Sequence, residues 1–366
     1  MIKEFGYEYS ASCQSFEVPP ESLLTTTSRH PWGALPFQSG RDALKAIARE
    51  YSPTMVLLPA LSCDSMRVPF VLHGHNVQYY RITKEYAVDF GHLKTLISDS
   101  TQPILFLYLN YFGKTAANPV ELQELRDSFP NLVFIEDKTQ VFIHACPSFF
   151  QPDFTVVSIR KWLAIPDGGL LWTALPLKNQ FFGEDTFFAQ RRRHAQLLRE
   201  KYLNSGDINL KIEFRHIFSS ISEILDKSPV PIKMSKYAYD MLLNVAQDII
   251  GGGISQKRIK NSACLADILQ ESKIQLLQSQ AGLSDLYVPF LTANRDAVQR
   301  ALSAEGIFCT IIWPLSQEQR DLCPIAKRTE QFMLAAPCDQ RYSSSDMEYI
   351  GNAIVRTVAK LGGAVA

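Results

Sequence analysis

Short apolar runs alternate with amphipathic stretches along the first part of this chain. Residues 55–58, 77–80, 104–109, 133–135, 154–157 and 170–172 are largely apolar and end on polar or turn-forming residues, which predicts short buried strands. Between them, the stretch opened by Ser39 and Gly40 places Ala43, Leu44, Ile47 and Ala48 on one helical face. Residues 90–97 read as a short helix, and residues 119–128 as another, with Pro119 near its start and Val120, Leu122 and Leu125 as its apolar positions. Alternating strands and helices predict a mostly parallel sheet with helical crossovers. Such sheets bind ligands beyond the carboxyl ends of their strands.

The run Gly251, Gly252, Gly253 reads as a helix stop and hinge. After it the pattern changes to an αβαβα order. A helix runs from Ile254 through Leu265 and Leu269, followed by strands near 286–291, 306–314 and 333–342 and helices at 294–304 and 344–361. The expected fold class is therefore α/β, with a large domain over residues 1–250 and a smaller C-terminal α+β domain over residues 251–366. Residues 1–36 are irregular, broken by Pro19, Pro20, Pro31 and Pro36, and are expected to wrap the large domain; Thr25 to Ser28 read as a plain loop. Residues 174–246 carry little pattern, and Arg191 to His194 read as a solvated helical face.

Composition narrows the class. The 366 residues suit two domains better than one. Basic and acidic residues balance at 37 each, which argues against a nucleic-acid partner. The seven cysteines are scattered with no CxxC spacing, so reduced thiols and a cytoplasmic location are expected. No signal peptide and no membrane-spanning run are expected from the apolar pattern. His73 and His75 flank Gly74, but no third ligand has suitable spacing, so no metal is expected.

Candidate chemistry lies at the ends of the apolar runs. The run at 133–135 delivers Asp137, the run at 154–157 delivers Ser158 and Lys161, and the run at 170–172 follows Gly168 and Gly169. An acid, a hydroxyl, a lysine and a glycine turn suit pyridoxal phosphate. Its aldehyde needs a lysine amine, its pyridine nitrogen needs a carboxylate, and its phosphate needs hydroxyls and backbone N–H groups. Ser62 also follows an apolar run, and Gly40 opens a helix that can approach a phosphate. Each residue has a plainer reading: Ser39 and Asp137 as helix caps, Lys161 as a surface lysine, Cys63 as a small buried apolar residue, Gln140 as a solvated polar one. Arg160 competes with Lys161 but cannot form the Schiff base, because its guanidinium stays protonated. Glu136 competes with Asp137, and on a strand the two face opposite sides.

Taken in order, Asp137, Gln140, Ser158, Lys161 and Asp167-Gly168-Gly169 resemble the DegT/DnrJ/EryC1/StrS sugar aminotransferases, within the fold-type-I pyridoxal-phosphate enzymes. The resemblance runs from Phe37 to the C-terminus, including Trp313-Pro314 and the segment from Pro337 to Tyr342. It implies a seven-stranded type of sheet, Lys161 as the cofactor lysine and proton carrier, and Asp137 at the ring nitrogen. It also implies Gln140 at the ring face or phenolic oxygen, Ser158 at the phosphate, and Ser39, Gly40 and Arg41 in the place of a Ser-Gly-Thr segment. Arg41 departs from that pattern, so only its backbone role carries over. Cys63 stands where a ring-covering side chain is common. The implied activity moves an amino group from an amino acid, glutamate the expected donor, to a keto group of a nucleotide-linked sugar, in a homodimer. Asn110, Tyr111, Lys114, Arg191 and Arg341 are the candidates for the acceptor's mouth. A different reaction of the same cofactor, or a non-catalytic homologue with a binding role, are the rival readings.

Overall fold

The computed structural model describes residues 2–11, 33–97, 101–141, 150–179, 182–250, 253–277 and 286–362. Cys13, Cys146, the prolines at 19, 20 and 31, the 25–28 loop, Gly251 and Gly252 lie outside the described residues.

The chain opens with β1 (Phe5–Gly6) and β2 (Leu35–Phe37), then α1 (Gly40–Ala48), β3 (Met55–Pro59), α2 (Asp64–Val71), β4 (Asn76–Tyr80) and α3 (Phe90–Leu96). It continues through β5 (Ile104–Leu109), α4 (Pro119–Ser128), β6 (Leu132–Asp137), β7 (Phe154–Val157) and β8 (Gly169–Thr173). Helices α5 (Phe187–Ser205), α6 (Ile208–Ile221), α7 (Lys236–Ile250) and α8 (Gly253–Glu271) follow. The rest is β9 (Tyr287–Leu291), α9 (Arg295–Ala304), β10 (Ile307–Phe308), α10 (Gln317–Leu322), α11 (Pro324–Phe332), β11 (Met333–Pro337) and α12 (Ser344–Thr357).

Seven strands form the main sheet in the order β2-β8-β7-β6-β5-β3-β4. From β4 to β7 every pairing is parallel. Strands β5 and β6 are buried at every residue, as central strands covered on both faces must be. The alternation breaks at β8, which runs antiparallel to both β7 and β2. The connection over residues 158–168 holds only a one-turn 3-10 helix, Ile159–Lys161, so the chain reverses instead of crossing over. That reversal keeps Lys161 at the carboxyl end of β7.

Sequence pattern and structure differ in further places. Residues 2–11 do not simply wrap the large domain: β1 pairs with β10, and Phe5 packs in the C-terminal core with Leu265, Phe290, Leu334 and Ile350. Only Ile307–Phe308 of the 306–314 stretch is a strand. Helices α10 and α11 were not foreseen; a Ser316–Gln319 capping box starts the first and Pro324 the second. His75 is a satisfied core residue, its Nε2 donating to the Ala48 carbonyl at 2.8 Å and its Nδ1 accepting from Thr54 N–H at 3.1 Å. Among the described residues, no helix is long and apolar enough to cross a membrane, and no cluster of His, Cys, Asp or Glu is arranged to hold a metal ion.

Gly169 sets the closest approach in the sheet. A Cβ there would overlap the Ser39 carbonyl group and come within 2.6 Å of Gly40 N, which is backbone that cannot swing away. Gly169→Ala must separate β8 from the start of α1, and we expect it to cost about 1–3 kcal/mol, as overpacking does. Denaturant unfolding measures this, and an unchanged midpoint would show that the two segments can part freely.

Candidate active site

Thr139, just past β6, is bonded to three parts of the site. Its N–H donates to Asp137 Oδ1 at 2.7 Å, its Oγ1 accepts from Ser158 N–H at 3.0 Å, and its carbonyl accepts from the Trp162 indole at 2.8 Å. These bonds tie the end of β6 to the turn that carries Lys161. Trp162 is fully buried, and its carbonyl takes further bonds from Tyr9 Oη at 2.9 Å and Gln340 Nε2 at 2.7 Å.

Lys161 therefore has little freedom, and its amine opens into a cleft. Burial pushes its pKa below the usual lysine range, Arg160 adds to that, and Cys63 and Asp137 oppose it. Asp137 is 4% exposed; burial raises its pKa, against the Thr139 bonds and the Lys161 charge. Glu136 faces the other side, engaged by Asn110 Nδ2 at 2.8 Å and Lys138 Nζ at 3.4 Å. Gln140 accepts from Phe112 N–H at 3.0 Å, while its buried Nε2 has no partner among the described residues. Gly40 begins α1 against Ser158, where an added Cβ would lie 3.3 Å from the Ser158 Cβ.

Other positions take quieter roles. The Ser39 hydroxyl is used by its own cap, bonded to the Asp42 carboxylate at 2.6 Å and accepting from Asp42 N–H at 3.2 Å. Arg41 turns away to the Ser222 carbonyl at 2.7 Å and Asp226 at 3.3 Å, so its guanidinium does not join Ser158. Ser62 is buried, with its carbonyl bonded by Gln319 at 3.1 Å. Cys63 caps α2, with its sulfur 2.8 Å from Ser65 Oγ. Asp167 receives the Ser235 N–H and hydroxyl at 2.8 and 2.7 Å, and burial raises it to about 6.

The candidates for the acceptor's mouth divide. Asn110 and Tyr111 are each 1% exposed and bonded internally, to Glu136 and to the Leu61 carbonyl, so they do not line an opening. Lys114 donates to the Leu277 carbonyl at 3.3 Å, and Arg191 is exposed on α5. Arg341 does reach the cleft that holds Lys161. The solvated face expected at 191–194 fails at Arg192, which is 3% exposed and donates to the Pro166 carbonyl at 2.7 Å and to both Glu8 oxygens at 3.2 and 2.7 Å. Thr139, Glu8, Tyr9 and Arg258 were missed. Only Thr139, between Asp137 and Gln140, carried a local signal, because the others arrive from distant parts of the chain.

The cleft of about 490 Å³ lies between residues 6–9, the Lys161 turn and the C-terminal unit. A buried carboxylate, a half-buried lysine, an unpartnered amide and a glycine-opened helix beside a serine lie at the strand ends. That donor set fits pyridoxal phosphate, through Asp137, Gln140, Lys161, Ser158 and the first turn of α1.

No family model matches this chain, and no curated protein matches it in sequence. Solved structures do match. Helicobacter pylori PseC, an aminotransferase of pseudoaminic acid biosynthesis, superimposes with a TM-score of 0.65 at 15% identity, over 98% of this chain and 100% of that one. A DegT DnrJ EryC1 StrS aminotransferase from Brucella abortus gives 0.60 at 15% identity, over 89% and 86%. The chain has the fold of these aminotransferases. S. venezuelae DesV in complex with a ketimine intermediate gives 0.61 at 16% identity, over 88% of this chain and 84% of that one.

The Glu8–Arg192 pair anchors the N-terminal segment to the rim of this site. Burial alone would raise the Glu8 carboxyl, but Arg192 outweighs it and holds it down to about 2, from an ordinary 4.5. The pair therefore contributes stability fully above pH 4.5 and loses it as pH falls towards 2. With 30% of the Glu8 side chain still exposed, solvent screening leaves on the order of 1–2 kcal/mol. Glu8→Gln should be less stable by that amount at pH 7, and the gap should close between pH 4.5 and 2 in denaturant titrations.

Proposed function

We propose that this chain is a pyridoxal-phosphate-dependent aminotransferase. It takes an amino group from an amino acid, with glutamate the expected donor, and passes it to a keto group of a nucleotide-linked sugar. One observation carries the reading: Lys161, its amine lowered in pKa by burial, shares a strand-end site with the buried Asp137 carboxylate. When bound, the cofactor supplies an electron sink that stabilises negative charge at the donor's α-carbon.

The chain's own residues do the rest. Asp137 Oδ atoms hold a proton on the ring nitrogen, and the dry surroundings make that charge count for more than it would in water. Gln140 Nε2 donates to the ring oxygen. The Ser158 hydroxyl and the N–H groups of the first turn of α1 bind the phosphate. Lys161 Nζ would take the proton from the donor's α-carbon and later give it up as general acid, which suits an amine whose pKa lies below its usual range. Tyr9, Trp162 and Gln340 hold the lysine turn in place while this happens. The sugar acceptor is supported by a fold neighbour from Streptococcus pneumoniae described as a putative sugar aminotransferase and by the strongly charged lining of the cleft.

Single-turnover spectra test the reading. Glutamate should convert the loaded protein to its amino form, and a keto sugar nucleotide should reverse this faster than oxaloacetate or pyruvate. Lys161→Ala should abolish the conversion and Asp137→Asn should slow it by about 10²–10³. Borohydride should fix the cofactor on the Lys161 peptide. Loading without conversion by glutamate would indicate another reaction of the cofactor, and failure to load at all would indicate a non-catalytic protein.

A two-fold homodimer in the cytoplasm belongs to the same proposal. A groove of about 910 Å³ beside the edge strand β2, with Leu35, Phe37, Leu177 and Phe182 in its wall, supports it. Sedimentation at micromolar concentration should give a dimer, and a monomer there would sink the assembly.

A further inference from the structure

The cleft beside Lys161 carries more positive than negative charge. Four basic side chains line it, Arg160, Lys161, Arg258 and Arg341, against two acidic ones, Glu8 and Asp339. Both acids are already engaged. Glu8 takes the fork of Arg192, and Asp339 takes Arg341 through two bonds of 2.7 Å. Arg258 is tied to Gln340 Oε1 and Tyr9 Oη, each at 2.8 Å, and lies over the Trp162 ring.

Arg160 differs from these. Its guanidinium has no hydrogen bond or ion pair with any described residue, and its Nε is buried without a partner. Arg160 is half-buried: its Nε is shut away, while its two terminal nitrogens keep access to solvent and are free to receive an anion. Burial, then Arg192, push its pKa down to about 9, with Glu8 opposing. Arg160 also directly precedes Lys161, and both line the same cleft. Any anion it holds must therefore sit close to the atom that meets the Lys161 amine. On an amino acid, the carboxylate is one bond from the reacting α-carbon. On a nucleotide sugar, the phosphates are many bonds from the keto carbon. A planar fork of N–H donors also matches a carboxylate through two parallel bonds.

We propose that Arg160 is the anchor for the α-carboxylate of the amino-acid donor, and for the 2-oxo acid that the donor becomes. This rests on the transaminase reading, but it can fail separately from it.

The test uses the full chain loaded with pyridoxal phosphate and calorimetric titration with glutarate, which has glutamate's carboxylates and no amine, and with uridine monophosphate. Arg160→Gln should weaken glutarate binding by roughly 30-fold or more. It should leave uridine monophosphate binding and the visible cofactor band unchanged. Arg160→Lys keeps the charge but loses the fork, and should fall between; it also decides the matter if the glutamine variant does not fold. Glutarate affinity within twofold of the parent in either folded variant overturns the proposal. So does a selective loss of uridine monophosphate binding, which would make Arg160 a phosphate ligand, or loss of the cofactor band, which would place it in the cofactor cradle. A parent chain that takes up no pyridoxal phosphate sinks the transaminase reading instead. Glutarate titration of that unloaded chain, with and without Arg160→Gln, then still decides whether Arg160 anchors a carboxylate.

Discussion

The bonds made by Thr139 are the constraint on which the strand-end geometry depends. Two residues past β6, it orients the Asp137 carboxylate, receives the Ser158 N–H and receives the Trp162 indole. Two strands and a turn are thereby held in one arrangement through short, buried bonds. Buried polar groups left unpaired cost more than paired ones return, so such a junction resists slipping. Rigid supports of this kind are what a site needs if an amine and a carboxylate are to keep a fixed relation.

The turn carrying Lys161 is also braced from outside the large sheet. Tyr9 comes from the N-terminal segment and Gln340 from the C-terminal unit, and both donate to the Trp162 carbonyl. The two sources are themselves joined, since β1 pairs with β10 and Arg258 bonds both Tyr9 and Gln340. Residues far apart in the chain therefore converge on a single peptide group.

Charge is distributed with the same economy. Asp42 and Lys45 form a buried pair at 3.1 Å under the start of α1, and Glu8–Arg192 and Asp339–Arg341 form others around the cleft. Such pairs return only part of their attraction as stability, because desolvation offsets the rest. Their effect here is to engage both acids on the cleft wall, so that neither forms an ion pair with Arg160.

The apolar pattern by itself determined the parallel strands β3 to β7, the helices α1, α3 and α4 between them, and the polar residues at the strand ends. These follow from local periodicity, which any window of sequence displays. The order Asp137, Gln140, Ser158, Lys161 was legible for the same reason, since each lies within a few residues of a strand end. Sequence could not show that Glu136 and Asp137 divide between Asn110 with Lys138 on one side and Lys161 on the other, because that depends on which face of β6 meets which neighbour. Nor could it place Glu8 beside Arg192, 184 positions away, or bury Asn110 and Tyr111, which look like a polar turn. The antiparallel setting of β8 was hidden as well, since an apolar run does not state its direction. Contacts across long separations depend on how the units pack, and only the tertiary structure decided them.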